Sequence, residues 1–412
     1  MTAEREVLVV GAGPAGLVAA LAVAKADIPV TLIAPGIGAS YSREARARDT
    51  RTTALLGGSV DFLSNLGLRS QLESELRPLK AIRIVDQRGG PIRAPELLFR
   101  ADEIGCEAFG YNVANAALIE VLHKAAVGAE KVELVPGLVT AVELGADAVA
   151  VATEGGDRYK GSVLAAADGR VSLARKAAGI AVDSQAYPQS AIAVTVTHRR
   201  PHQDISTEFH RPAGPLTTVP SPDTQGQPSS SIVWVETPAE VDRLMALPDS
   251  GFVAELSSHL GTVLGPLELI SKRASFPLMQ MRAREMARRR VMLIGEAGHV
   301  VPPIGAQGLN LGFRDAATFA EVVAGEIEAG RDAGGEAAVA AYKAARAADV
   351  ASRALMTDVL NRSLLSDFVP VQALRGLGLQ ALASLGPLRR LAMRVGMEPP
   401  GERPRLMRPA GQ

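Results

Sequence analysis

The chain has 412 residues, 47% hydrophobic and 21% charged, a composition that suits a globular protein with a sizeable core organised as two interleaved domains. Lys+Arg and Asp+Glu both number 44, so no net charge draws it towards nucleic acid. Its single cysteine, Cys106, excludes an internal disulfide framework and a cysteine-based zinc site, and fits a reducing cytoplasm.

The first stretch, "EVLVVGAGPAGLVAALAVAKADIPVTLIAPG", reads as one unit. Val7 to Val10 predict a short strand, Pro14 to about Ala26 an alanine-rich helix, and Val30 to Ile33 a second strand. Between strand and helix, Gly11, Gly13 and Gly16 form G-x-G-x-x-G with Pro14 and Ala15 inside it. This is the pattern of a βαβ dinucleotide fold, in which the helix N-terminus faces a pyrophosphate. An acidic residue to hold the ribose is expected after the second strand, but Ala34-Pro35 stands there. Main chain and hydroxyls such as Ser40, or a later side chain that folds back, are then expected to hold the ribose. The chain start lacks the basic region of a signal peptide, and no apolar run reaches membrane-spanning length, so a soluble cytoplasmic protein is expected.

Arg46, Arg48 and Arg51 follow, with Arg51 the first candidate to reach a phosphate. Antiparallel strands are expected from about Lys80 to Arg100, and a helix from Asn112 to Ala126. A run of short strands then ends in Asp168-Gly169. From Ala191 to Phe276 the β-branched, alternating stretches predict an antiparallel sheet, with one helix from about Pro238 to Leu264. Strands around Ala191–Val196 and Ile232–Val235 are expected walls of a substrate pocket, and Trp234 either core or pocket lining. After the strand "VMLIG" comes "GEAGHVVPPIGAQGLNLGFRDA", then a long helix from about Leu309, and nearly continuous helix from Glu336 to about Val395.

Glu296 and His299 stand at i, i+3 in that glycine-rich run. A metal needs three or four ligands; only these two are local, and no metal is expected. No nucleophile elbow lies nearby. Geometry gives the better account: Pro302 and Pro303 stiffen an extended backbone, Gly305 and Gly308 admit a flat ligand, and a helix N-terminus favours negative charge. A flavin, whose ring becomes anionic on reduction, suits such a socket.

Taken together, "VVGAGPAGL", "DTRTTALLGGSVDFLSNLGL", "AADGRVSLAR", "FHRPAGPLTTVP", "SIVWVE", the Gly295–Ala316 stretch and "LMTDVLNRSLLS" resemble the FAD-dependent aromatic hydroxylases of the para-hydroxybenzoate hydroxylase type. The similarity is greatest to the branch that hydroxylates polyprenyl-phenols in ubiquinone biosynthesis. The resemblance implies an α/β (α+β) fold: a Rossmann-like FAD-binding domain interleaved with an antiparallel-sheet substrate domain, plus a helical C-terminus. The corresponding division is 1–75, 100–180 and 285–330 for FAD, 76–99 and 181–284 for substrate, and 331–412 for the C-terminal helices and tail.

The resemblance further implies FAD contacts from Gly11, Gly13, Pro14, Ala15, Gly16, Arg51, Asp168, Gly169, Glu296, Pro303, Gly305, Gly308, Leu309 and Asn310. Asp168-Gly169 would serve both FAD and a transient NAD(P)H donor. Position 296 is Asp in the family and Glu here, and Ala306 lengthens the usual G-Q-G. The implied reaction is NAD(P)H- and O2-dependent hydroxylation of an aromatic ring through a flavin hydroperoxide. The implied partner is a lipophilic phenol, with peripheral contact to the inner membrane or to a ubiquinone-biosynthesis complex. No protein acid or base is assigned, and His299 is expected to be structural. A hydroxylase of small soluble aromatics and a non-catalytic flavoprotein subunit stay open as other readings. The tail from Val371 to Gln412 interleaves Arg375, Arg389, Arg390, Arg394, Arg403, Arg405 and Arg408 with leucines; it suits either an anionic lipid surface or packing on the core or on a partner.

Overall fold

The apolar run Val7–Val10 lies in strand Glu4–Val10, at the middle of the first sheet, where each of the four side chains is buried. In the computed structural model, which describes residues 4–37, 51–88, 95–303, 305–365, 378–397 and 401–409, this strand pairs in parallel with Val30–Ala34 and with Arg158–Ala166. The register sets Val9 opposite both Leu32 and Ala165. Val132–Pro136 continues the sheet beyond Val30–Ala34, and Val291–Leu293 continues it beyond Arg158–Ala166, both in parallel. Parallel neighbours need crossovers, and helix Pro14–Lys25, with proline at its first turn, makes the first one. Its residues Leu17 to Val23 are buried, which is why the helix reads as alanine- and valine-rich on nearly every side.

The second sheet runs in the order His299–Val300, Ala274–Ala283, Val182–His198, Gln227–Glu236, Gly214–Thr224, Ile205–Arg211, Ala81–Asp86, Leu97–Arg100, with Leu267–Leu269 also paired to Val182–His198. It is antiparallel as expected, apart from one pair: Ala81–Asp86 lies parallel to Ile205–Arg211. That segment arrives from far along the chain, so no hairpin dictates its direction. Ala81–Asp86 and Leu97–Arg100 are antiparallel, as the alternation suggested.

Period-2 alternation sorts the residues of this sheet to two faces. Ile192, Val194, Ile232 and Trp234 pack under helices Pro238–Ala246 and Asp249–Leu260, and Trp234 sits 5.8 Å from Phe252. Trp234 is therefore core, and only alternate residues of the two expected walls (Ala191, Val233 and Val235) face the other side with Tyr187 and Leu278. The single helix expected over 238–264 is two, because Pro248, extended at the N-cap of the second, cannot continue the first. Asn112–Ala114 likewise belong to strand Gly110–Ala114, paired with Thr52–Leu56, and the helix is Asn115–Gly128.

Helix Glu336–Leu365 is fastened to the second sheet through Ala354, Asp358 and Asn361. Tyr187 Oη donates to Asp358 Oδ1 at 2.7 Å, Asn361 Nδ2 to Gln189 Oε1 at 3.0 Å, and Gln280 Nε2 to the Ala354 carbonyl at 3.1 Å. Helix Gly386–Met397 packs Met393 against Leu97, Phe99 and Phe109, at the edge of the same sheet. Arg375 and residues 366–377, within the expected continuous helix, lie outside the described residues. No helix among the described residues is long and apolar enough to cross a membrane.

Candidate active site

Glu4–Val10, Arg158–Ala166 and Val291–Leu293 are parallel neighbours, so their carboxyl ends share one edge and the loops after them gather there. The approach is close enough to be backbone on backbone. Gly11 has φ +105°, and a Cβ on it would lie 2.2 Å from the Ala167 carbonyl oxygen. A Cβ on Gly16 would lie 2.0 Å from the Gly11 oxygen, and one on Gly295 or Gly312 would lie 3.3 Å from Ala15 Cβ. The glycine loop, the Asp168-Gly169 loop, the segment after Ile294 and helix Gln307–Glu328 thus form one unit.

Gly13 is different. It is exposed, with φ −66°, and a Cβ there would meet nothing within 4 Å. Pro303, Gly305 and Gly308 are also exposed. Two helix N-termini, at Gly13 and at Ala306, carry no side-chain cap, so their first N–H groups are available to a ligand. The second helix starts at Gln307, two residues earlier than expected, with Ala306 left-handed at φ +54° as its N-cap; residue 304 lies outside the described residues. Asp168 Oδ2 accepts the Ala174 N–H at 3.1 Å, whereas its Oδ1 is buried with no protein partner. A cradle open at Gly13 and Gly169, two uncapped helix starts and an orphaned carboxylate oxygen fit a dinucleotide with phosphate and hydroxyl groups.

Other expected residues are engaged elsewhere. Asn310 is buried, and its amide is saturated: Oδ1 accepts from Leu56 N (2.9 Å) and Ser59 Oγ (2.7 Å), while Nδ2 donates to the carbonyls of Ala54 (2.8 Å) and Ala306 (2.6 Å). It clamps the helix start to the 54–59 segment, so its side chain positions the socket and leaves the ligand to the backbone. Leu309 is half-buried beside it. Glu296 makes an exposed bidentate pair with Arg170 at 2.9 and 3.2 Å. Exposed pairs contribute about 0–1 kcal/mol, so Glu296→Gln should move the melting temperature little, as differential scanning fluorimetry will show. A larger loss of bound FAD than of stability would then report a contact to the cofactor. Arg51 is exposed, and its carbonyl accepts the Asn115 N–H at 3.1 Å; Ser40, Arg46 and Arg48 lie outside the described residues.

A buried charge network supports the socket from behind. His299 Nε2 bonds Asp315 Oδ2 at 2.6 Å, the Gly295 N–H donates to the same oxygen at 2.9 Å, and Arg346 Nε donates to Asp315 Oδ1 at 2.7 Å. Arg346 Nη1 and Arg314 Nε both donate to Asp349 Oδ2, at 2.7 and 2.6 Å. Tyr342 Oη, buried, donates to the Leu293 carbonyl at 2.7 Å. Burial pushes the Asp315 carboxyl up, but His299 and Arg346 outweigh it and hold the group down at about 2. His299 is thus buried and bonded to Asp315 within the fold. The network itself was not anticipated, although Arg314-Asp315 among Leu311, Phe313, Ala316 and Ala317 was a visible signal: charges inside an apolar stretch of helix need buried partners. Among the described residues no group of three or more His, Cys, Asp or Glu could hold a metal.

Residues 4–357 match the family model described as FAD binding domain. The chain belongs to that family. One relative in sequence, ubiquinone hydroxylase UbiL of Rhodospirillum rubrum, is 34% identical over 411 residues, covering 98% of this chain and 92% of its own. The 3-demethoxyubiquinol 3-hydroxylase of Escherichia coli K12 is 27% identical, covering 95% of this chain and 98% of its own. Among solved structures, p-nitrophenol 4-monooxygenase PnpA of Pseudomonas putida DLL-E4 shares the fold with a TM-score of 0.76 at 18% identity, over 98% of this chain and 100% of its own. Within the family's FAD binding domain, the four segments meeting at Gly11, Ala167, Gly295 and Gly312 form the edge described above.

Proposed function

We propose that the protein is an FAD-dependent aromatic-ring hydroxylase acting on a polyprenylated phenol of ubiquinone biosynthesis, with NAD(P)H as transient donor and O2 as co-substrate. The observation that carries this reading is the open space at Gly13, at the start of an uncapped helix, on an edge where Gly11, Gly16, Gly295 and Gly312 are packed against their neighbours. In this reading Gly11, Gly13, Pro14, Ala15 and Gly16 hold the FAD pyrophosphate, with Arg51 assisting. Asp168 and Gly169 serve FAD and the donor through the unpaired Oδ1. Glu296 meets the ribityl chain, and Pro303, Gly305, Gly308 and Leu309 bed the ring.

FAD supplies the redox chemistry, taking electrons from the nicotinamide and activating oxygen. The polypeptide binds, orients and excludes water. The N–H groups after Ala306 favour negative charge at the ring by about 0.3–2 kcal/mol, judging from helix-terminus effects. The face of the second sheet bearing Ala191, Val233 and Val235 offers an apolar wall for a lipophilic ring. We also propose the interleaved division of the chain into FAD, substrate and C-terminal parts, supported by the first two sheets except that His299–Val300 pairs with the second, and we place the protein in the cytoplasm, peripheral to the inner membrane. The test is to purify the protein, measure bound FAD, and follow NAD(P)H oxidation with and without a prenylated phenol. Prenylated phenol should stimulate oxidation and be hydroxylated. Lack of flavin, or stimulation by small hydrophilic phenols alone, overturns the reading.

A further inference from the structure

Helix Gly386–Met397 has two apolar faces, and the fold uses only one. The inner face buries Met393 and partly buries Met397 against Leu97, Phe99 and Phe109. On the outer side Leu385 (54% exposed), Leu388 (42%), Leu391 (58%) and Val395 (56%) stand in water. Leu385 is helical in practice, since its N–H bonds the Ala381 carbonyl at 2.8 Å and its own carbonyl accepts from Arg389 N at 3.0 Å. At 100° per residue, positions 385, 388, 391, 392 and 395 fall on one contiguous arc. Four large side chains so exposed on three turns of helix are more than scattered surface leucines.

The charges around this arc have one sign. Arg394 lies on one flank and Arg389 on the other, about 120° and 100° from the centre of the arc, whereas Arg390, about 160° from it, lies beside Met397 towards the inner face. Arg389 is tied to Glu103 at 2.6 Å, while Arg390 and Arg394 have no carboxylate partner among the described residues, and the helix contains no acidic residue. The helix is also held firmly in place: Arg353 Nη1 donates to the Gly396 carbonyl at 3.2 Å, and the Arg389–Glu103 pair fixes its start. A fixed helix with an apolar arc between cationic flanks complements an anionic interface whose interior is apolar.

We propose that this outer face is a docking surface for an anionic lipid bilayer, into which Leu388, Leu391 and Val395 insert while Arg394 meets the headgroups. The proposal rests on the reading of the substrate as a membrane-resident phenol. It adds where the protein sits on the membrane: with the edge strands Ala81–Asp86 and Leu97–Arg100 of the second sheet directly above the bilayer.

Co-sedimentation of the full chain with vesicles tests it. Wild type should pellet with phosphatidylglycerol-containing vesicles, far less with pure phosphatidylcholine, and less as salt rises. Leu388→Glu/Leu391→Glu should weaken binding at least about tenfold, and Arg394→Glu several-fold. Leu138→Glu, an equally exposed leucine elsewhere, should not. Unchanged melting temperature and turnover of a detergent-dispersed phenol will show that the variants fold, while turnover of a phenol embedded in vesicles should fall in step with binding. Absence of wild-type pelleting, equal pelleting of all variants, or a dimer in light scattering that the leucine variants dissolve would each overturn the proposal. Vesicle binding without flavin or hydroxylation would leave it standing and reject the functional reading instead.

Discussion

Gly13→Val should yield a folded protein that no longer retains FAD. Glycines of such loops are usually mutated with no way to separate folding from binding, but here the two effects divide by position. A side chain on Gly16 collides with the Gly11 oxygen and one on Gly11 with the Ala167 oxygen, so those changes must open the sheet-to-helix packing. Gly13 has an ordinary φ of −66° and empty space around its Cβ position, so valine costs the fold only a small propensity penalty at a helix N-cap. That space is the approach of the proposed pyrophosphate to the helix N–H groups. Filling it should weaken FAD binding at least about 100-fold, or ~2.7 kcal/mol, in a titration followed by flavin fluorescence. The thermal unfolding of the cofactor-free chain should stay within about 1 kcal/mol of wild type. Normal FAD affinity in Gly13→Val would move the pyrophosphate away from this loop. A collapse in stability would make Gly13 a packing residue like its neighbours.

Asp315→Ala should cost the fold about 3–5 kcal/mol, the loss expected when one partner of a buried ion pair is removed. Asp315 is fully buried and answers three donors: Gly295 N, His299 Nε2 and Arg346 Nε. Without it a guanidinium that is 3% exposed keeps only Asp349. Two of the three donors lie in the segment that lines the cofactor edge, so FAD retention should fall along with stability. The same carboxylate sets an acid limit. Its folded pKa of about 2 lies below the ordinary 3.8, so its contribution is complete above about pH 4 and is lost as pH falls towards 2. Asp315→Asn should therefore flatten the stability profile between pH 4 and 2, measured by urea unfolding at each pH. An unchanged profile would assign acid unfolding to other carboxylates.

The parts of this molecule that sequence made legible are those where one local rule dominates. The βαβ start follows from glycine spacing and apolar runs, and the second sheet from its alternation between turns. The exposed backbone at Pro303 and Gly305 follows from proline and glycine, whose backbone preferences need no tertiary partner. What stayed hidden depends on partners distant in the chain. Nothing local tells that Ala81–Asp86 pairs in parallel with Ile205–Arg211, or that Asn310 spends its amide on Ala54, Leu56 and Ser59. The split at Pro248 was visible in principle, since a proline interrupts any long helix there. Arg346 and Asp349 gave little sign, because an arginine and an aspartate on an alanine-rich helix read as a solvated face until Arg314 and Asp315 pack against them.

The most direct test of the proposed activity is the mass of the product formed from a prenylated phenol under isotopically heavy O2, with the FAD-loaded protein and NAD(P)H. The account predicts a hydroxylated ring carrying one heavy oxygen atom, with NAD(P)H consumed in proportion. NAD(P)H consumption that yields only hydrogen peroxide, or a product whose new oxygen comes from water, would contradict it.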